Sequence, residues 1–404
     1  MEYNVQLNKL STYIYRGKQP KYATEGIPVI NQKAIQWDTF DKSVLKYHDE
    51  NKKVDKRHFI KKNDVLINST GTGTVGRVYH INYEPDLMFA DSHITIVRTN
   101  EELLMSRFLY YQMRTTQFQA MILNEFLAGS TGQVEFNKSM IEKLPINVPS
   151  ISYQYKVVNI LSKLDKKIET NKKIIANLEE LSQTLFKRWF VDFEFPDENG
   201  NPYKSSGGEM VDSELGEIPR SWKVDELGNY IKIKSGKRPK NKVDKKDIEN
   251  VVPIIGASKI MGYTNDYLYN EKIIIIGRVG THGVIQRFST RTWPSDNTFV
   301  ITSDFESIIY QVLKSIDYIS LNRGSTQPLL SQKDIKNTKV VMPTNATLLS
   351  KYQKENNHIL KMMDQKNIEN QKLAQLRDTL LPKLMSGEIE IPDDIEVMED
   401  ELSI

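Results

Sequence analysis

The 404-residue chain contains no cysteine. That excludes disulfides, thiolate nucleophiles and cysteine-held zinc or iron–sulfur centres, and it suits a reducing compartment such as the cytoplasm. Histidine is sparse: His48, His58, His80, His93, His282 and His358 are scattered, with no metal-ligand spacing among them, so no metal site is expected. The opening MEYNVQLNKLSTYIYR has no long apolar run, so neither a signal peptide nor a membrane span is expected.

Catalytic signatures are missing as well. NPYK (Asn201–Lys204) lacks the second proline of an amino-methyltransferase N-P-P-Y/F motif and sits in the hydrophilic stretch DENGNPYKSSGGE, where Asn-Pro makes a turn. The acidic pairs of Pro196–Glu198 and Pro392–Asp394 resemble nuclease carboxylates, but no Glu-x-Lys follows either. With every class failing together, a binding protein is the better reading than an enzyme.

What is present begins with charge. The net charge is +3, but residues 386–404 hold eight acids and no Lys or Arg, so the body without that tail stands at +11. Basic clusters fall at Lys52, Lys53, Lys56, Arg57, Lys61 and Lys62, and at Lys232, Lys234, Lys237, Arg238, Lys240, Lys242, Lys245 and Lys246. Such runs serve either as solvated loop faces or as a surface for a polyanion.

NSTGTGTVGR (Asn68–Arg77) contains G-x-G-x-x-G at Gly71, Gly73 and Gly76. As a dinucleotide loop it requires a helix immediately afterwards, because the helix N-terminus holds the pyrophosphate. The chain continues RVYHINYEPD, an alternating β-branched and aromatic run that ends at Pro85. The glycines therefore belong to a strand–loop–strand unit.

Self-comparison supports this reading. GKQPK (Gly17–Lys21) recurs as GKRPK (Gly236–Lys240), IPVI (Ile27–Ile30) as VPII (Val252–Ile255), and GTVGR (Gly73–Arg77) as GTHGV (Gly280–Val284). DSHITIV (Asp91–Val97) matches DNTFVIT (Asp296–Thr302), and GST (Gly129–Thr131) recurs at Gly324–Thr326. LPINVP (Leu144–Pro149) matches KVVMP (Lys339–Pro343), and LEELSQTLFKRW (Leu178–Trp189) matches LAQLRDTLLPKL (Leu373–Leu384). The offset drifts from 219 to 207 to 195, so one large unit is duplicated with small insertions in loops. The second copy loses the G-x-G-x-x-G spacing and keeps Gly-Thr-x-Gly, as a tight turn would and a phosphate cradle would not.

Each copy has two parts. Residues 1–150 and 216–345 read as mixed α/β globules of short apolar strands with some helix, notably Glu101–Leu123. From Tyr153 to Phe190 there is no Gly or Pro, and Val157, Leu161, Leu164, Ile168, Ile175, Leu178 and Leu185 fall at heptad spacing. That predicts about 55 Å of helix at ~1.5 Å per residue. The second copy places Ile359, Met363, Leu373, Leu376 and Leu380 at matching positions. An apolar stripe on one helix needs a partner, so the two long helices are expected to pack on each other, antiparallel. The expected layout is globule 1–150, helix 151–192, linker 193–215, globule 216–345, helix 346–385 and acidic tail 386–404.

Two globules alternating with two long helices in one duplicated chain resemble the specificity subunit of type I restriction–modification systems. The resemblance rests on the strand–GTxG turn (Gly73–Gly76, Gly280–Gly283), the SELGEIPRSW leader (Ser213–Trp222), the GKxPK turn, and the helix ends LFKRWFVDFEFP and LRDTLLPKLMSGEI. It covers essentially the whole chain, although the first globule starts at MEYNVQLNKL without the EIPxxW leader. The resemblance implies that each globule reads one half of a split double-stranded DNA site. The helices would space the halves and dock two methyltransferase subunits, with restriction/translocase subunits beyond. S-adenosylmethionine, ATP and Mg would act on those partners, and no cofactor would bind this chain. A recognition subunit of a type IIB-like enzyme would look the same from sequence. A cofactor enzyme using the Gly71–Gly76 loop and a pure coiled-coil scaffold are the rival classes. The repeat argues against the first, and the basic, divergent globules argue against the second. The residues expected near DNA are the polar and basic groups of the matched segments. They are Lys18, Thr74, Arg77, Ser92, His93 and Ser130 in the first copy, and Lys237, Arg238, Arg278, Thr281, His282, Asn297 and Ser325 in the second.

Overall fold

A computed structural model describes residues 4–37, 39–126, 135–244, 246–279, 283–321 and 329–392. It divides into two units, Met1–Glu169 with Asn370–Ile404, and Thr170–Glu369.

Unit 1 contains β1 (Asn4–Gln6), β2 (Ser11–Arg16), β3 (Tyr22–Ala23), β4 (Ile27–Ile30), β5 (Lys46–His48), β6 (Val65–Asn68), β7 (Val78–His80), β8 (Phe89–Ala90) and β9 (Ile94–Thr99). Helices α1 (Ser106–Arg114), α2 (Thr116–Glu125) and α3 (Lys138–Glu142) follow, then β10 (Pro145–Asn147) and the first part of α4 (Ile151–Phe186). The strands form two four-stranded sheets, ordered β2-β9-β6-β7 and β3-β5-β4-β8, and a β1-β10 pair. The first sheet is antiparallel throughout. Its internal strand β6 reads VLIN and is buried at every position, so it carries no alternation. The helix expected across Glu101–Leu123 is two helices. Thr115 is extended (φ −63°, ψ 146°) and its hydroxyl accepts the Phe118 N–H, which caps α2.

Unit 2 repeats the plan. After the hairpin β11 (Met210–Ser213) and β12 (Gly216–Pro219) come β13 (Trp222–Glu226), β14 (Lys232–Ser235), β15 (Val252–Ile255), β16 (Ile260–Thr264) and β17 (Ile273–Gly277). Then follow β18 (Ile285–Phe288), β19 (Trp293–Pro294), β20 (Thr298–Thr302), α5 (Glu306–Ser315), α6 (Gln332–Asn337), β21 (Lys339–Pro343) and the first part of α7 (Ala346–Ser386). The sheet β14-β20-β17-β18 corresponds to β2-β9-β6-β7, and the pair β13-β21 to β1-β10. In both units a parallel pair joins the second sheet, β4 with β8 and β15 with β19.

Backbone hydrogen bonds fix how the copies correspond, and they correct one match. Gly17 donates to the Ile94 carbonyl (2.8 Å) and Gly236 to Thr298 (3.0 Å). Asp91 donates to Ile30 (2.9 Å) and Ser295 to Ile255 (2.9 Å). Thus Asp91 corresponds to Ser295 and His93 to Asn297, one residue away from the alignment of Asp91 with Asp296. Ladder register is set by backbone pairing, and the shared aspartate misled the sequence match.

Each unit holds part of both long helices, packed antiparallel. In unit 1 the Tyr153 hydroxyl donates to the Leu384 carbonyl (2.9 Å), and Arg377 pairs with Asp165 (3.1 Å). Val157, Leu161, Leu381, Leu384 and Met385 are buried in the unit's core with α1 residues Phe108 and Leu109. In unit 2 Ser182 donates to Asn356 Oδ1 (2.7 Å), and Tyr352 lies edge-on to Trp189 and Phe190. Leu360 and Met363 are buried there, with Ile175, Leu178, Leu185 and Ile359 packed beside them. Leu376 does not join the seam: it is 47 % exposed, while Arg377 next to it is buried. The Arg377–Asp165 ion pair claims that seam position, which a purely apolar heptad count assigns to leucine.

Candidate functional site

At one end of the first sheet of unit 1 the turn after β2, the loop after β4, the β6–β7 loop and the residues before β9 converge. Gly17 begins the first turn. A Cβ there would lie 2.1 Å from the Ala90 carbonyl oxygen, and one on Gly236 would lie 2.1 Å from that of Ser295. Only glycine allows this approach in either copy. Gly17→Ala or Gly236→Ala is expected to cost about 3 kcal/mol by forcing the strands apart, read as a lowered denaturant midpoint. A change below about 0.5 kcal/mol would contradict this account of the turn.

The β6–β7 loop is held by its own side chains. Gly71, Gly73 and Gly76 all have positive φ (98°, 77° and 81°), as has Gly283 at the place of Gly76 (73°). These are turn glycines in a strand–loop–strand unit, since β6 pairs directly with β7. Thr74 Oγ1 donates to the carbonyls of Thr70 (3.1 Å) and Gly71 (3.2 Å). Arg77 donates to Gln36 Oε1 (2.6 Å) and to the Gly73 carbonyl (2.8 Å). Both stitch the loop together, so their first role is to shape it. His93 donates its backbone N–H to Asp91 Oδ1 (2.8 Å), and its Nδ1 lies 2.8 Å from Thr70 Oγ1. Burial pushes the Asp91 carboxyl up from its ordinary value. Ser92 donates to Gln19 Oε1 (2.8 Å). Lys18 is exposed beside this network, its backbone N–H bonded to the Ala90 carbonyl (2.9 Å).

Unit 2 repeats the backbone bonds of this corner among the described residues. Lys237 is exposed, with its N–H on the Pro294 carbonyl (3.0 Å), matching Lys18. Arg278 donates its N–H to the Asn297 carbonyl (3.0 Å), as Ser69 does to His93 (2.8 Å), and its guanidinium lies 5.7 Å from the Phe299 ring centre. Arg238 sits 3.7 Å from Asp296. Ser130, Thr281, His282 and Ser325 lie outside the described residues.

Around the corner of unit 1 the chemistry is cationic and aromatic. Lys46 Nζ lies 4.7 Å from the ring centre of Tyr22, and Lys138 Nζ 3.6 Å from that of Tyr15, with both tyrosines exposed. Lys52, Lys53, Lys56, Arg57 and Lys61 are exposed as well. Among the described residues no three His, Asp or Glu side chains are grouped to hold a metal, and no helix is long and apolar enough to cross a membrane. The corner offers donors suited to phosphate oxygens and to base edges. Sequence reading did not single out Gln19 and Asp296, although both lie in the matched segments, and it missed Gln32 and Gln36, because single polar residues in turns have no periodicity or spacing to mark them.

Residues 8–180 and 219–378 each match the family model described as type I restriction modification DNA specificity domain. The chain is 28 % identical over 323 residues to the type I restriction enzyme MjaIX specificity subunit of Methanocaldococcus jannaschii, covering 72 % of this chain and 70 % of that one. It is 25 % identical over 406 residues to the HindI specificity subunit of Haemophilus influenzae, covering 82 % and 87 %. The crystal structure of a type I restriction–modification S subunit from M. genitalium superposes with a TM-score of 0.56 at 19 % identity, over 94 % of this chain and 95 % of that one.

Proposed function

This chain belongs to the type I restriction–modification DNA specificity family, and from that premise we propose that it reads a bipartite double-stranded DNA site, one half per globule. The observation that carries this is the matched corner. Each unit presents an exposed lysine, Lys18 or Lys237, on the same turn held by matching backbone hydrogen bonds. Two such corners on a duplicated frame suit two half-sites, as half-site spacing mirrors protein symmetry in other DNA readers.

In this reading the globules near 1–150 and 216–345 are target recognition domains. The long helices fix the gap between half-sites and dock two methyltransferase subunits, with restriction/translocase subunits beyond. The chain itself performs no catalysis. S-adenosylmethionine, ATP and Mg act on the partner subunits, and the assembly works in the cytoplasm.

Lys18→Ala and Lys237→Ala test the placement. Loss of one phosphate contact lowers the slope of log affinity against log salt by roughly 0.9 and weakens all sequences alike. Each variant is expected to show that change in a titration from low to moderate salt. Unchanged slopes in both would remove these turns from the DNA face.

A further inference from the structure

One pair of positions recurs in both corners with different chemistry. Gln19 and Arg238 occupy the same place, two residues after the matched glycines Gly17 and Gly236. The backbone bonds of Lys18 to Ala90 and of Lys237 to Pro294 align them. Ser92 and Asp296 likewise match, two residues before Ile94 and Thr298, which accept the glycine N–H groups. In each unit the second residue lies beside the first: Ser92 Oγ donates to Gln19 Oε1 at 2.8 Å, and Asp296 Oδ2 forms an ion pair at 3.7 Å from Arg238 Nε. The side chain so placed is exposed in both cases, Arg238 to 86 %.

Resting on the DNA-reading assignment above, we propose that Gln19 and Arg238 are base-reading residues, one per half-site, each oriented by its neighbour on the adjacent loop. Gln19 reads adenine and Arg238 reads guanine. The chemistry follows from the groups left over. A carboxamide oxygen has two lone pairs. Ser92 uses one, so Gln19 keeps an acceptor for adenine N6–H and has its Nε2 donors for N7. Nε2 of Gln19 has no hydrogen-bond partner among the described residues. Asp296 lies nearest Nε of Arg238, which leaves the two terminal nitrogens to fork onto guanine O6 and N7. Exposed contacts of this kind contribute little to stability, so support of the fold does not account for the pairs. The same low contribution means that substitutions here leave the fold intact.

The test is selection of a random double-stranded DNA library by the full chain, with wild type, Gln19→Ala, Arg238→Ala, and the exchanges Gln19→Arg with Ser92→Asp and Arg238→Gln with Asp296→Ser. Each alanine variant is expected to lose roughly tenfold or more of discrimination at one base pair, an A·T in one half-site for Gln19 and a G·C in the other for Arg238. The exchanges are expected to convert those preferences, A·T to G·C and the reverse, with the other positions unchanged. If both alanine variants keep full selectivity at every position while overall affinity drops, the side chains touch phosphate, and the base-reading proposal is wrong while the DNA-reading assignment stands. If wild type itself enriches no motif, that assignment fails and the proposal with it.

Discussion

Exchanging residues 216–345 for the matching globule of another family member is expected to replace one half of the recognised DNA sequence and to leave the other half as it was. The graft has a physical basis in the β13–β21 pair, where Trp222 faces Pro343 in register. Entry and exit of the globule are therefore side by side, the arrangement that lets a domain be inserted without disturbing its host. What must be preserved is the globule's grip on the helices of unit 2. Tyr310 and Lys314 of α5 bond Glu179, Gln311 donates to Ser182 (2.7 Å), and Arg287 pairs with Asp364. A donor globule with compatible groups at these places is expected to fold on the same frame. With ~1–3 kcal/mol lost per mismatched base pair, a half-site of three read pairs separates old from new by roughly 3–9 kcal/mol, so the exchange appears as a replaced motif. A swap that altered both halves would mean that the globules cooperate on one continuous sequence.

Arg287→Leu is expected to cost unit 2 about 3–5 kcal/mol, a large part of a domain's total stability. The Arg287 side chain is 7 % exposed and lies 2.6 Å from Glu306 Oε1, with a two-pronged contact to Asp364. Leucine would leave Glu306, itself 10 % exposed, with only the half-exposed Lys272, 4.0 Å from its other oxygen. Chemical denaturation should show the loss, and adding Glu306→Gln and Asp364→Asn should recover much of it. A loss under about 1 kcal/mol would show that water reaches these carboxylates. Unit 1 solves the same join without charge: His80 of β7, at the place of Arg287 in β18, lies 3.0 Å from Ser106 Oγ at the start of α1. Burial holds the His80 imidazole down to about 3, so the folded state prefers it neutral. That preference is fully present above the unfolded value near 6.5 and is lost as pH falls from there toward 3. By pH 4.5, two units below, the stability lost amounts to about 3 kcal/mol, read as a lowered denaturant midpoint.

The long helices were legible because an uninterrupted heptad stripe has one physical solution, and duplication supplied its partner. The β6–β7 loop was legible because its glycines are followed by an alternating run and not by a helix. Leu376 misled, since a buried Arg377–Asp165 pair overrides apolar spacing and an ion pair across two helices leaves no period in either. The β9/β20 register slipped by one because short strands match on few residues, while the backbone bonds of Gly17 and Gly236 decide it. Gln32 and Gln36 were invisible, and Gln19 passed over within its motif, for a further reason. Their importance comes from partners distant in sequence, such as Ser92, Thr70 and Arg77.

The most direct measurement is modified-base sequencing of host DNA with the gene intact and deleted. The account predicts that deletion removes methylation from a single motif made of two short specified sequences separated by a fixed run of unspecified bases. An unchanged methylation pattern in a cell shown to assemble the complex, or the loss of one continuous motif, would contradict it.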